Sequence, residues 1–286
     1  MEPNALNNTT AHSKRTLLRG LLGSGRSVVV PGTHDALSAI HAQRAGFEAA
    51  YIGSYAVSAS LGFPDLGLLT LDEMVRAARD ISRAVTIPVI VDAEDGFSHS
   101  GGIWRTVRSF EEAGVSAIHV DDHVQGPYPQ SARLAPMSDF TDRLHACVEA
   151  RTDGDLVLIG RTDVALTTTD LDLIQRRVHA VASTGVDVIF APGLDTERLE
   201  EIRKEITVPF MTGATAPYPA GKTIPGGSGI VIYPAISLLA ATLHVRTLFE
   251  ALRASLDVLA DEGRLESPQA LQRALDSGRH LSSRRP

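Results

Sequence analysis

Eight short apolar runs, rich in Val and Ile, recur along the chain. They are Ser27–Pro31, Ala49–Ile52, Ile87–Asp92, Ala117–Asp121, Leu156–Gly160, Val186–Phe190, Val208–Met211 and Gly229–Tyr233. A strand that is apolar on successive positions is buried on both faces, as in a parallel sheet covered by helices. Between these runs lie stretches with apolar residues at three and four spacing, which predict helices over His34–Ala45, Leu71–Val85, Trp104–Ala113, Asp139–Ala150, Leu171–Thr184 and Thr196–Glu205. Glycine follows several of them directly (Ala45-Gly46, Ala113-Gly114, Thr184-Gly185), the expected helix stop. A short helix over Lys14–Gly23 leads the series, and Ala235–Ala260 follows the last strand. Regular βα alternation with eight buried strands over about 250 residues favours a (β/α)8 TIM barrel; an open doubly wound sheet is the alternative.

Two segments break the rhythm. Residues 212–228 hold too much Pro and Gly for a full helix, so one barrel helix is expected to be missing or vestigial. Residues 122–137, with Gly126-Pro-Tyr-Pro129 and Pro136, form a long loop on the face where barrels often carry lids. A surplus helix over Ser267–Leu275, with Ser267 as N-cap and Pro268 at the first helical position, is either a solvated tail or a surface for a neighbouring subunit.

Length and composition agree with one barrel-sized domain over residues 14–281, preceded by an Asn- and Thr-rich tail (1–13) expected to be disordered. The formal charge of -7 argues against nucleic acid as the main partner. No apolar run approaches the roughly 20 residues that span a bilayer. A single cysteine, Cys147, excludes an internal disulfide framework and fits a cytoplasmic protein; its place on the apolar side of a helix points to core packing.

The chemistry gathers where the strands end. The run Val89-Ile-Val-Asp-Ala-Glu-Asp-Gly96 turns abruptly from apolar to acidic. If strand geometry persists, Asp92 and Glu94 point the same way, and two converging carboxylates suit a hard cation such as Mg²⁺. The alternative is that these acids cap the following helix. In a barrel, every carboxyl end faces one pocket. That pocket would collect Gly53-Ser54-Tyr55, Asp92, Glu94, Asp121-Asp122-His123, Arg161-Thr162-Asp163, Pro192-Gly193 and Thr212-Gly213. Carboxylates facing an arginine that can grip an anion through two parallel hydrogen bonds make a site for an anionic, oxygen-rich small molecule. For Arg161 the alternative is a salt bridge to Asp163 or Asp122; for His123, a loop histidine without a chemical role. His119, inside a strand, is expected to be a packed, hydrogen-bonded core residue.

Taken together, Tyr51-Ile-Gly-Ser54, Ser58-Ala-Ser-Leu-Gly-Phe-Pro-Asp-Leu-Gly67, Val91-Asp-Ala-Glu-Asp-Gly-Phe97, Val120-Asp-Asp122 and Gly160-Arg-Thr-Asp163 resemble the isocitrate lyase and phosphoenolpyruvate mutase superfamily. Pro31-Gly-Thr-His-Asp-Ala-Leu37 and Ile232-Tyr-Pro234 agree, so the resemblance spans residues 15–255. It implies a (β/α)8 barrel, often with its last helix swapped onto a partner in homodimers or homotetramers. It also implies Mg²⁺ or Mn²⁺ and 2-hydroxy or 2-oxo dicarboxylate substrates or their phosphonate relatives. By position, Gly53, Ser54 and Tyr55 match the loop that binds the substrate's pyruvate-like end, and Asp65 the aspartate of the SLGxxD segment. Asp92 matches the direct metal ligand, Glu94 the second acid, Asp121 the acid holding metal-bound water, and Arg161 the carboxylate-binding arginine. Thr212 completes the expected substrate pocket.

The departures carry information. Isocitrate and methylisocitrate lyases of this superfamily have a Lys-Arg-Cys-Gly-His segment after the fourth strand; this chain has His123-Val-Gln-Gly-Pro-Tyr-Pro-Gln130, and Cys147 lies too far along to replace that cysteine. The Lys and Asn of phosphonate-forming mutases are also missing from this loop. Pro192-Gly193 and Gly213 stand where many members carry a glutamate and an asparagine. What remains is metal-assisted enolate chemistry: a carbon–carbon lyase, or a decarboxylase or hydrolase of a 2-oxo acid, with Tyr55, His123 and Tyr128 as candidate acids and bases. From a different class, a barrel that binds a carboxylate without turning it over fits the lost acid-base residues.

Overall fold

The structure, a computed structural model, describes residues 10–98, 100–124, 133–214, 229–255 and 266–278. All eight strands form, parallel and in one sheet: β1 Ser27–Pro31, β2 Ala50–Ile52, β3 Val89–Asp92, β4 Ala117–Asp121, β5 Val157–Arg161, β6 Val188–Phe190, β7 Phe210–Gly213 and β8 Gly229–Tyr233. Spatial order follows chain order, with β1 beside β8. A bridge between Gly32 and Tyr51 brings β1 back to β2 and closes the barrel. At Gly32 a Cβ would stand 2.0 Å from the Pro234 carbonyl oxygen, so only glycine allows β1 and β8 to approach this closely. The open-sheet alternative is thereby set aside.

The expected helices are present: α1 Ala11–Gly23, α2 Ala36–Arg44, α4 Leu71–Ala84, α5 Ile103–Ala113, α6 Met137–Ala150, α8 Leu171–Ala182, α9 Thr196–Arg203, α10 Ile236–Ala254 and α11 Pro268–Gly278. Two short helices had no counterpart in the periodicity, α3 Ser54–Ser60 after β2 and α7 Val164–Thr167 after β5. Both sit at the carboxyl ends of strands, where loops rather than core dictate the path. The leading helix starts at Ala11 rather than Lys14, because the Thr10 side chain caps it by accepting from the Ser13 N–H. Capping side chains also start α2 (Asp35), α4 (Thr70, with Glu73 reciprocating), α8 (Asp170) and α9 (Asp195). Ser267 caps α11 as expected, accepting from Ala270 N–H at 3.1 Å. That helix packs on α2 of its own chain and buries Ala274, so one face of it is covered, while Leu271, Gln272 and Arg273 stay exposed. The expected gap at 212–228 lies outside the described residues from 215 onward, as does residues 125–132 of the long loop.

The core has two layers. Outside the sheet, helix residues such as Met74, Ile81, Phe110, Phe140 and Ile174 pack against the outward faces of the strands. Cys147 lies in this layer, as its helical position predicted, and burial pushes its thiol up to about 12. Inside the barrel, Val28 and Val30, Tyr51, Ile90, Ala117, Val157 and Ile159, Val188 and Phe190, Met211, and Ile230 and Ile232 fill the lumen. The amino-terminal end of the lumen is plugged by α1, whose Leu18 and Leu21 join this cluster.

Around that plug, α1 directs cations at the barrel floor. Lys14 Nζ donates to the carbonyls of Ser82 (2.6 Å) and Val85 (3.3 Å), and Arg15 to those of Val115 and Glu111 while pairing with Asp153 at 2.7 Å. Arg19 pairs with Asp187 at 3.0 Å. No helix among the described residues is long and apolar enough to cross a membrane.

Among the described residues Lys14 has no carboxylate partner, and it is 5% exposed; burial first, then the neighbouring Arg15, lower its ammonium from 10.5 to about 8. Between those two values the unfolded chain holds a proton that the folded chain has released, so stability from this group rises with pH across pH 8 to 10.5. Denaturant titrations of wild type and Lys14→Met at pH 8 and 10.5 should show wild type gaining up to about 3 kcal/mol relative to the variant. The variant cancels the opposing alkaline effects of Cys147 and Tyr51, and a pH-independent difference would refute the assignment.

Candidate active site

Strand alternation places the functional side chains. In β3, Ile90 points into the lumen, so Asp92 two residues on points there too; in β4, Ala117 and His119 are followed by Asp121; in β5, Val157 and Ile159 are followed by Arg161. Sheet register pairs Asp92 with His119 and Asp121 with Arg161. Two acids and one arginine thus form the last inward-facing layer at the carboxyl-terminal mouth of the barrel.

Asp92 is the most heavily coordinated of these groups. It accepts from Ser54 Oγ (3.0 Å) and N–H (3.4 Å) and from the Glu94 N–H (2.9 Å). His119 Nδ1 lies 3.6 Å from its Oδ1, and Arg161 Nη1 3.8 Å from its Oδ2. Burial works to raise the Asp92 carboxyl, yet His119 and Arg161, with these hydrogen bonds, bring it below the usual range. Glu94 shows the opposite balance. Burial and then the Asp92 charge push it up to about 8. The stated reason for their convergence does not hold: the strand ends at Asp92, and Glu94 has φ 50, so a left-handed turn rather than continued strand geometry brings the two acids together. Nor do these acids cap a helix. The helix after β3 is α5, whose N-cap is Gly102 with no side-chain bond, and Asp95 instead accepts from the Phe97 N–H.

Across the mouth, Arg161 forms a two-point pair with Asp163, Nε to Oδ1 and Nη2 to Oδ2, both 2.8 Å, and lies over the Phe190 ring. The salt bridge weighed as an alternative to substrate binding is therefore real for Asp163 and not made with Asp122. It leaves Nη1 directed toward Asp92 and the pocket. His123 lies 3.0 Å from Asp163 and 3.7 Å from Asp121, and hydrogen bonding to these two acids pushes it up to about 10. It is a part of this charge cluster. Burial would raise Asp163, but His123 and Arg161 hold it well below the usual carboxylate range.

Behind Asp92, His119 is the buried core histidine expected: Tyr51 Oη lies 2.9 Å from its Nε2, and its ring is flanked by Tyr51 and Phe190. Burial lowers His119 and raises Tyr51. The remaining expected residues fall at the same mouth. Gly53 precedes α3 and Ser54 begins it; Tyr55 is 43% exposed on its first turn. Asp65 is half-buried, its carboxyl raised by burial and by Asp92. Thr212 is half-buried at the end of β7. Tyr128 lies outside the described residues. Reading strand ends alone missed Tyr51 and Arg177, the last a helix residue whose partner is Asp122. An Arg on an amphipathic helix reads as solvated surface, so no sequence signal singled it out.

The donor chemistry fits a hard divalent cation. Asp92, Glu94 and Asp121 offer only oxygen, and Glu94 is pushed up first by burial and then by the Asp92 charge, which a cation would neutralise. Among the described residues, the one trio of ligating groups already within 4.8 Å of one another is His12, Asp153 and Asp155. It sits at the opposite end of the barrel, where Arg15 and Arg19 already pair with its aspartates.

Residues 18–253 match the family model described as phosphoenolpyruvate phosphomutase. The chain is 36% identical to the 2,3-dimethylmalate lyase of Eubacterium barkeri over 249 residues, covering 82% of this chain and 85% of that one. Its fold is similar to the crystal structure of phosphoenolpyruvate phosphomutase from Streptomyces platensis subsp. rosaceus, with TM-score 0.85, 26% identity and coverage of 92% and 95%. It is also similar to phosphonopyruvate hydrolase in complex with oxalate and Mg²⁺, with TM-score 0.81, 28% identity and coverage of 92% and 98%. The barrel, its acidic strand ends and these likenesses agree: the chain belongs to the phosphoenolpyruvate phosphomutase family, within the isocitrate lyase and phosphoenolpyruvate mutase superfamily.

Proposed function

We propose that this protein is a Mg²⁺-dependent carbon–carbon lyase that cleaves a small 2-hydroxy or 2-oxo dicarboxylic acid through an enolate. The observation that carries this reading is the inward layer in which Asp92, Asp121 and Arg161 stand side by side at one mouth, with Glu94 in the turn after Asp92. Relatives named for dimethylmalate and methylisocitrate cleavage support it. Asp92 would hold the metal directly, with Glu94 and Asp121 as the further acids; Mn²⁺ would serve in the same place. Bound there, the ion supplies a Lewis acid for the substrate's oxygen atoms.

The chain's own groups do the rest. Arg161, oriented by Asp163, grips a substrate carboxylate with the donor it has left, and the Gly53–Tyr55 segment with Thr212 and Asp65 lines the other end. Cleavage of a 2-hydroxy acid moves the hydroxyl proton to a base. The C–C electron pair passes to the departing carbon, and a proton is then delivered to that carbon. Tyr55, exposed at the mouth, and His123, anchored by Asp163, are the groups in reach of these transfers. Cys147 is buried in the outer layer and takes no part.

A second reading, decarboxylation of an oxaloacetate-like acid, is favoured by one observation: the chain lacks the loop cysteine, and loss of CO₂ from the carboxylate β to a 2-oxo group, which leaves its electron pair as an enolate, needs no base. A barrel that only binds the acid is the third. The expected setting is the cytoplasm, in line with one unpaired thiol.

Every large apolar residue on one side of α10 is exposed, with Leu239 at 57%, Leu243 at 52% and Phe249 at 63%, and no residue of α10 is buried. A soluble helix this apolar needs cover. The superfamily resemblance supplies it: α10 packs on a second copy, in a homodimer or homotetramer.

Incubation with Mg²⁺ and oxaloacetate, isocitrate, methylisocitrate, dimethylmalate or phosphonopyruvate, followed by NMR with an EDTA control, separates the readings. An oxo acid with a second carboxylate marks a lyase, CO₂ with pyruvate a decarboxylase, and binding without turnover the third reading. Asp92→Ala should abolish Mn²⁺ binding and turnover while changing unfolding free energy by no more than about 1 kcal/mol. Full activity in that variant would end the metal assignment. Arg161→Lys, which keeps the charge but not the two-point grip, should lower kcat/KM roughly 100-fold. Light scattering should give a dimer or tetramer for wild type and a smaller species for Phe249→Asp; a monomeric wild type would dismiss the assembly.

A further inference from the structure

Asp121 and Asp122 are consecutive, so one faces the lumen and the other the helix layer. The outward one, Asp122, is fully buried and saturated. Its Oδ2 accepts from Arg177 Nε at 2.7 Å and from the Thr162 hydroxyl at 2.6 Å, and its Oδ1 from the Asp163 N–H at 3.0 Å. Arg177, on α8 and 7% exposed, uses its other arm to donate to the Ala135 carbonyl at 2.7 Å and lies over the Phe140 ring.

Those contacts close the foot of the long loop. On its two flanks the backbone forms a short antiparallel stem: Ala135 N–H donates to the Asp122 carbonyl (2.7 Å), Val124 N–H to that of Arg133 (2.8 Å), and His123 bridges Leu134. The guanidinium of Arg177 spans this stem, holding a side chain on one strand and a carbonyl on the other. From Asp122 the connection continues through the Asp163 backbone to the Asp163 carboxylate, which aims Arg161 and holds His123.

We infer that Arg177 is a positioning residue: by clamping Asp122 to Ala135 it fixes the stem that carries His123 and the Asp163 turn that aims Arg161 into the pocket. It touches neither the lumen nor the inward-facing acids. The inference rests on the reading of Arg161 as the carboxylate-binding group. Arg is suited to this task and Lys is not, because two acceptors on different strands need a planar fork.

The test uses full-length wild type, Arg177→Met, Arg177→Lys and the double variant Asp122→Asn/Arg177→Met. The double variant leaves no buried charge unpaired, so it keeps the barrel folded if the single change does not. Hydrogen-exchange mass spectrometry without ligand reads the clamp. Calorimetric titration with oxalate in the presence of Mg²⁺, oxalate being a planar stand-in for a 2-oxo acid's enolate, reads the pocket. Faster exchange is expected in peptides spanning 121–124, 133–135 and 161–165, with β1 and β8 unchanged. Oxalate affinity should fall roughly tenfold or more in the folded variants, with Arg177→Lys failing to restore it.

Wild-type exchange in those peptides would overturn the inference. So would faster exchange with undiminished oxalate affinity, which would leave Arg177 a stabilising ion pair only. If wild type itself takes up no oxalate, the proposed function of the site fails, and the exchange comparison alone decides whether Arg177 holds the stem and the Asp163 turn.

Discussion

The charge balance at the barrel mouth governs this molecule. Asp92, Glu94, Asp121 and Asp163 crowd one end of the lumen against two cations, Arg161 and His123. Charges removed from water must be paired or neutralised. The protein does both: Asp163 is locked between Arg161 and His123, Asp92 collects hydrogen bonds, and Glu94 retains its proton up to about 8. The residual excess of carboxylate over cation is what a bound divalent ion and an anionic substrate would complete together. Strain accompanies it, since Glu94 and Phe97 both take left-handed backbone conformations in the turn after β3.

The two ends of the barrel are built on opposite principles. At the amino-terminal end, cations of α1 are matched to backbone carbonyls and to Asp153, Asp155 and Asp187, leaving nothing for a ligand to gain. At the carboxyl-terminal end, donors and acceptors are left facing a common space. The His12, Asp153 and Asp155 trio has the composition of a metal site but sits among neutralising arginines, whereas the acids at the carboxyl-terminal mouth are spread more widely around the lumen.

The chemistry available follows from what stands between the cations and the pocket. Arg161 is not free to wrap a substrate carboxylate, because Asp163 takes two of its donors. What Asp163 removes in binding strength it returns as orientation, and Asp163 is itself oriented through Asp122. On the proposed reading of Arg161, precise placement of its remaining donor would be worth more than a looser, stronger grip.

Much of this was legible in the chain itself. Eight apolar runs separated by helical periodicity favour a parallel barrel over an open sheet, because local periodicity and burial set strand and helix with little help from distant residues. The same runs named Asp92, Asp121, His123 and Arg161, since a strand's last residues necessarily stand at its carboxyl end. Only tertiary structure decided which of Asp121 and Asp122 faces the lumen: a strand buried on both faces gives no pattern that distinguishes inside from outside. Only it paired Arg161 with Asp163 and Asp122 with Arg177, 55 positions away, because such partners are set by sheet register and helix packing rather than by neighbours in sequence. And only it turned Glu94 toward Asp92 through a left-handed residue, and folded α11 back onto α2, outcomes that depend on space left by the rest of the chain.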